Sequence, residues 1–478
     1  MLGHPELFPG GLTPSTPSFQ PPGRAADSSH RYEDDIAAAK ALKLQVYRFS
    51  IGWPRVLPDG DPSNPNTKGV NYYNNLIDGL ISSGIQPMVT MYHFDYPMAV
   101  LRANGTWAER TILEPFLAYA DFLFKTFGDR VKLWTTINEP NYYCSTFALI
   151  EIPGLYTRKP GDDWKCVHNT ILGHAMAYRL YEKHYRATQG GHIGGAALAL
   201  WSRPNSTAWV DVEAAQRANE FSLGAMYHPL VYGEYPPSVR ARVDYYSKLE
   251  GLSESRLPQF TAEEKHIVKG AADFLCFNAY FGTNMADGVH ADRPRYGTMD
   301  SDRDAIEVGF QSTPGQMAGL FMRNDPYVLW EAPRWIYKNY KLPIFITENG
   351  WGDERPNTDG RRDSARAGYH SEYLHQLLRV MKEEGVPIMG YVAWSLIDTW
   401  EWSAQTGRRF GLVHVDYANG SLDRSLKESA WFFQYIGETR RVPKVEYRLG
   451  EAAAGAPATA AAGALVLLTL LLIDLANN

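Results

Sequence analysis

From about residue 30 to residue 440 the chain repeats one hydrophobic pattern. A stretch with apolar side chains at helical spacing leads, often past a glycine such as Gly84 or Gly128, into a short apolar run rich in β-branched and aromatic residues. The helical stretches are 30–42, 72–83, 116–127, 168–187, 262–270, 332–340 and 369–385. The apolar runs are 44–50, 86–92, 133–138, 192–200, 273–278, 344–348 and 387–394. Short continuous runs suit strands covered on both faces, and repeated helix–strand units build a parallel sheet. Seven such units follow one another without a linker, after an irregular N-terminus with room for one more. The pattern therefore predicts an α/β fold of the (β/α)8 barrel type rather than an open sheet.

In that architecture reactive groups collect at the C-terminal ends of the strands. The run 133–138 ends in Asn138-Glu139-Pro140, and 344–348 ends in Thr347-Glu348-Asn349-Gly350. Either glutamate alone reads as a solvated loop residue. Together on one rim they form the carboxyl pair that glycoside hydrolysis requires, held about 5–5.5 Å apart in retaining enzymes. Other tips supply His93, Asn278, Tyr280 and Trp394, with Trp400, Glu401 and Trp402 just beyond. Hydroxyl-binding amides and carboxylates beside flat apolar rings suit a sugar, whose edges are polar and whose C–H faces are not. Arg48 lies inside a predicted strand. A cation in a barrel wall requires a partner, and a catalytic carboxylate is the natural one.

Composition narrows the function classes. The chain has 478 residues, a net charge of −6, 45% hydrophobic and 13% aromatic residues. That is globular, and without a block of like charges it gives no reason to expect nucleic acid as a partner. The three cysteines, Cys144, Cys166 and Cys276, fit no zinc spacing, so no metal is expected, nor any cofactor. Only Cys144 and Cys166 are close in sequence. At most one bridge is possible, with these two as the only candidate pair, and buried free thiols are the expected state.

The ends differ from the middle. Residues 1–29 show neither the basic start nor the apolar run of a secretory signal, and carry six prolines. Residues 446–478 read as a linker of small residues followed by the apolar run 464–473. Basic residues before that run and none after it suit a GPI-attachment signal better than a spanning helix. Sequons at Asn104, Asn205 and Asn419 point the same way, to a glycoprotein outside the cell or at its surface. The oligomeric state is not legible.

Thr136-Ile-Asn-Glu-Pro140 and Ile346-Thr-Glu-Asn-Gly350 resemble the two signature segments of glycoside hydrolase family 1, the β-glucosidases, lactases and myrosinases. So do Tyr47-Arg-Phe-Ser-Ile-Gly-Trp-Pro-Arg55, Ser255-Arg-Leu-Pro258 and Arg409-Phe-Gly-Leu412, in an animal-type arrangement. The resemblance implies a retaining β-glycosidase acting on O-linked β-glucosides or related neutral β-glycosides, small or oligosaccharidic, by double displacement. It makes Glu139 the general acid/base and Glu348 the nucleophile. Arg48 and Tyr280 match residues that contact and orient the nucleophile, and Asn138 the group that bonds the sugar's 2-hydroxyl. His93 and Glu401 match glycone binders, Trp394 would underlie the ring, and Trp402 would add a polar edge. Asn278 completes the substrate-binding set. Glu401 would repel a 6-phosphate, which favours a neutral glycone.

The resemblance fails at the N-terminus. The family's first strand ends in a Gln-Ile-Glu-Gly segment, for which this chain offers only proline-rich text around Gln20, so that strand reads as missing or degenerate. Residues 1–29 are thus an atypical proline-rich segment and 30–445 the barrel. Smaller departures are Phe94 in place of Trp, Thr399-Trp400 in place of Asn-Phe, and Gln405-Thr406 after Trp402. The alternative reading is a catalytically impaired binding protein, like the klotho-like relatives that have lost catalytic carboxylates.

Overall fold

The structure, a computed structural model, describes residues 24–449 apart from 147–150, 153, 292, 311, 313–318 and 356–359. Seven parallel strands form one sheet in sequence order: β1 (Val46–Ser50), β2 (Gln86–Tyr92), β3 (Leu133–Ile137), β4 (His192–Leu198), β5 (Phe274–Asn278), β6 (Ile344–Asn349) and β7 (Ile388–Ala393). Each lies within a residue or two of an apolar run in the sequence. The sheet curls into a nearly closed (β/α) barrel with β1 and β7 at its two edges. The apolar tail and the text around Gln20 lie outside the described residues.

The middle strands are apolar along their length because both faces are covered. All residues of β3, β5 and β6 are buried. One face packs into the barrel interior, where Met88, Leu133, Phe274, Cys276 and Phe345 meet. The other lies under helices with an apolar stripe. In the helix Leu113–Phe127 the buried residues Phe116, Tyr119, Ala120, Leu123, Phe124 and Phe127 recur at the three- and four-residue spacing of one helix face.

Two features depart from expectation. Beside the barrel lies a three-stranded sheet of Ser202–Pro204, Thr283–Asp287 and Ala305–Phe310. The sequence pattern hides it because only four of its fourteen positions are buried, and others such as Glu307 and Val308 are exposed. The second is a correction: Cys144 and Cys166 are not free thiols but a disulfide, with Cα atoms 5.5 Å apart. Burial could not distinguish the states, since both half-cystines are fully buried. The short helix Pro140–Ser145 after β3 lies against the start of the helix Asp162–His184, which brings the two residues together. Cys276 is free and buried.

Candidate active site

Strand register sets the rim. Asn138 follows β3 and its backbone N–H donates to Tyr92 O at the tip of β2, while Asn278 on β5 stands opposite Glu348 on β6. Residues far apart in sequence thus become neighbours. Gly350, directly after the β6 tip, has to be glycine: a Cβ there would stand 2.0 Å from the carbonyl oxygen of Trp394.

Glu348 is 4% exposed and held at both carboxylate oxygens. Arg48 Nη1 donates to Oε1 at 2.7 Å, and the Tyr280 hydroxyl donates to Oε2 at 2.8 Å. This is the partner that Arg48 requires inside the wall. Its other arm, Nη2, donates to Asn138 Oδ1 at 2.7 Å, so one guanidinium ties the two signature segments together. Beneath Glu348, Asn349 fixes the β6 tip: its amide donates to Ala279 O at 2.7 Å and it accepts from the Tyr391 hydroxyl at 2.6 Å.

Glu139 sits at φ +38°, a left-handed conformation that costs a non-glycine residue of order 1 kcal/mol or more, at the turn from β3 into the helix Pro140–Ser145. The turn aims its carboxyl across the rim. Asn278 Nδ2 donates to Glu139 Oε1 at 2.7 Å, and Thr347 Oγ1 holds Asn278 by donating to its Oδ1 at 2.7 Å. Burial, and then the negative charge of Glu348, push the Glu139 carboxyl well above the ordinary carboxylate range. The pair therefore divides naturally into one ion-paired anion and one proton carrier.

The remaining predicted residues join the same network. Burial and Arg48 lower His93 to about 3, so its ring is neutral and its Nε2 accepts from Asn138 Nδ2 at 3.2 Å. Glu401 Oε1 accepts from Trp394 Nε1 at 3.1 Å and from the Thr399 hydroxyl at 2.6 Å. Burial raises the Glu401 carboxyl to about 7. The rings of Trp394 and Trp402 each lie 6.2 Å from that of His93. Arg48, His93, Asn138, Glu139, Asn278, Tyr280, Glu348, Trp394, Glu401 and Trp402 thus converge on one rim. Among the described residues no cluster of three or more His, Cys, Asp or Glu could hold a metal ion.

The sequence profile described as Glycosyl hydrolase family 1 matches residues 18–442. The chain belongs to that family. It is 38% identical over 424 residues to human lactase/phlorizin hydrolase, covering 88% of this chain but 22% of that protein. It is 37% identical to β-glucosidase 40 of Arabidopsis thaliana, with 87% and 83% covered. Among solved structures, aphid myrosinase superposes with a TM-score of 0.80 at 34% identity, over 88% of this chain and 89% of that one. A rice β-glucosidase gives 0.80 at 35%, over 89% and 91%.

The rim also holds groups that the strand-tip reading does not single out. Thr347 braces Asn278 through a strand residue of ordinary β-branched character. Thr399 bonds Glu401 across a two-residue turn, and its only signal is the departure from the usual Asn. Nothing in the sequence signals Arg408, which pairs with Glu354 and is close enough to act electrostatically on Glu401.

Proposed function

We infer that the chain is a retaining β-glycosidase that hydrolyses O-linked β-glucosides or related neutral β-glycosides. The observation that carries this reading is the opposed environment of its two carboxyls: Glu348 between Arg48 and Tyr280, Glu139 buried with a raised proton affinity. In the first step Glu139 donates its proton to the glycosidic oxygen as a Glu348 oxygen attacks the anomeric carbon. The bond to the aglycone breaks and a glycosyl–Glu348 ester forms. In the second, Glu139, now a base, takes a proton from water, whose oxygen displaces Glu348 and releases the sugar with its configuration retained. His93, Asn138, Asn278, Tyr280, Trp394, Glu401 and Trp402 bind the glycone, and Arg48 and Tyr280 orient the nucleophile.

Release of nitrophenol from an aryl β-glucoside tests the reading. Glu348→Ala is expected to abolish it, and equal release by the chain and the variant overturns it. Nothing at the site favours a binding protein without catalytic carboxylates, since both are in place.

The same proposal places the protein outside the cytosol. Asn205 and Asn419 are exposed and available for glycosylation, and a disulfide suits an oxidising compartment. No helix among the described residues is long and apolar enough to cross a membrane. Attachment through the run 464–473 belongs to the proposal, as does a barrel domain of residues 30–445. A mass decrease on treatment with N-glycosidase checks the location, and an unchanged mass speaks against it.

A further inference from the structure

Asn141 follows Glu139-Pro140 in the short helix Pro140–Ser145 and is 6% exposed. Its carboxamide is committed at both ends to one residue of a neighbouring strand. Nδ2 donates to Leu198 O at 2.9 Å, and Oδ1 accepts from Leu198 N at 2.9 Å. Nδ2 also donates to Ser222 Oγ at 3.0 Å, on the π-helical turn Glu220–Gly224. A side-chain amide offers the same donor and acceptor as a peptide group, so Asn141 stands in for a strand residue beside β4.

The rim needs such a substitute at this place. Among the described residues the β3–β4 ladder runs from Leu133 opposite His192 to Thr135 opposite Gly194 and ends there. β4 stays paired with β5 as far as Leu198 opposite Asn278. By then β3 has given way to the left-handed turn at Glu139. Without Asn141 the buried Leu198 would lose the partner of its N–H and the nearer partner of its C=O, at a desolvation cost for each.

These bonds close a circuit around the acid/base carboxyl. Leu198 is the register partner of Asn278, and Asn278 Nδ2 donates to Glu139 Oε1 at 2.7 Å. Glu139 is thus held from two directions, along the chain through Pro140 and Asn141, and across the sheet through Leu198 and Asn278. Asn141 joins the two paths. Pro140 stiffens the first, since its ring fixes φ. Pinned in this way, the turn cannot move its carboxyl away from Asn278 without breaking a buried bond.

We propose that Asn141 is a positioning residue for Glu139, fixing its carboxyl where the glycosidic oxygen lies; this rests on the reading of Glu139 as the acid/base. The test compares the full chain with Asn141→Leu, similar in size and unable to make either bond, on two glucosides. Methyl β-glucoside has a poor leaving group and needs the proton of Glu139, whereas dinitrophenyl β-glucoside loses its aglycone without it. Misplacing a reacting group by about 1 Å costs on the order of 10²-fold, so kcat/KM on the methyl glucoside should fall by about ten- to a hundred-fold. On the dinitrophenyl glucoside it should stay within about two-fold, because that step does not use the proton. A merely structural role lowers both alike, by lowering the folded fraction. A loss of equal size on both glucosides, a larger loss on the dinitrophenyl one, or none on either, overturns the proposal. If Asn141→Leu shows no cooperative unfolding transition, Asn141→Asp carries the same comparison and the same outcomes, since it keeps the acceptor for Leu198 N–H and loses the donors. Failure of the unaltered chain to cleave either glucoside overturns the glycosidase reading itself. Cleavage by the unaltered chain with no split in the variant removes the role of Asn141 alone.

Discussion

Glu139 and Glu401 are both buried carboxyls whose proton affinity is raised first by burial and also by the charge of Glu348, so their positions in the site and not the shifts separate their roles. In the proposed mechanism Glu139 is the group whose proton goes to the leaving group. With its pKa raised, it is protonated at neutral pH and loses that proton as the pH rises further. The alkaline limb of kcat/KM is therefore expected to follow Glu139 and to vanish in Glu139→Gln. That variant should be slower by about 10²–10⁴-fold on substrates with poor leaving groups and far less impaired in forming the ester from a nitrophenyl glucoside. An unchanged alkaline limb in the variant contradicts the assignment. Glu401 is held by Thr399, whose hydroxyl donates at 2.6 Å. A hydrogen bond to a charged group contributes about 1.5–3 kcal/mol, so Thr399→Val should raise KM by about ten-fold or more, and Thr399→Ser should restore it. If both variants raise KM equally, the hydroxyl is not what positions Glu401.

Among the elements, the parts legible in the sequence are those whose surroundings impose a repeating pattern. β3, β5 and β6 are buried on both faces and read as continuous apolar runs, and helices such as Leu113–Phe127 show a clear apolar stripe. The site was legible for a related reason: a barrel gathers its strand tips, so Asn138-Glu139 and Thr347-Glu348 could be placed on one rim without coordinates. The side sheet was not, because half-exposed strands carry no strong alternation. Nor was the Cys144–Cys166 bridge, which depends on how the helix Pro140–Ser145 lies against Asp162–His184. This bridge closes a loop starting just after Glu139, whose left-handed backbone is held by the same short helix. Replacing both cysteines by alanine should cost about 3 kcal/mol of stability, from the entropy of a loop of this length. Denaturant midpoints of the chain and the double variant measure the cost. Equal midpoints mean that the bridge holds nothing that packing does not already hold.

At the scale of the whole molecule, the site is a place where stability is given up. A carboxyl whose folded pKa lies above its unfolded value binds more protons in the folded state between the two values. Folding stability therefore falls as pH rises through that window. For Glu401, raised chiefly by burial, the window runs from about pH 4.5 to about pH 7. Below it both states carry the proton and nothing is lost. Above it the folded chain holds a buried charge that the unfolded chain would solvate. Glutamine keeps the shape and removes the charge, so Glu401→Gln should stabilise the protein increasingly across the window, by up to ~3 kcal/mol above pH 7. Denaturation of both proteins at a mildly acidic and a mildly alkaline pH decides the matter. A gain confined to the alkaline side identifies the carboxylate's burial as the cause. An equal gain at both pH values would place it in the amide's own hydrogen bonds to Trp394 and Thr399, and a loss at both would mean that the pocket needs the carboxylate to hold its shape. The first outcome is expected, because among the described residues two side-chain donors, Trp394 and Thr399, offset the burial of Glu401, which also stands within reach of the Glu348 charge. A scaffold with this much buried aromatic and aliphatic core can accept that loss, and a site built to read sugar hydroxyls requires it.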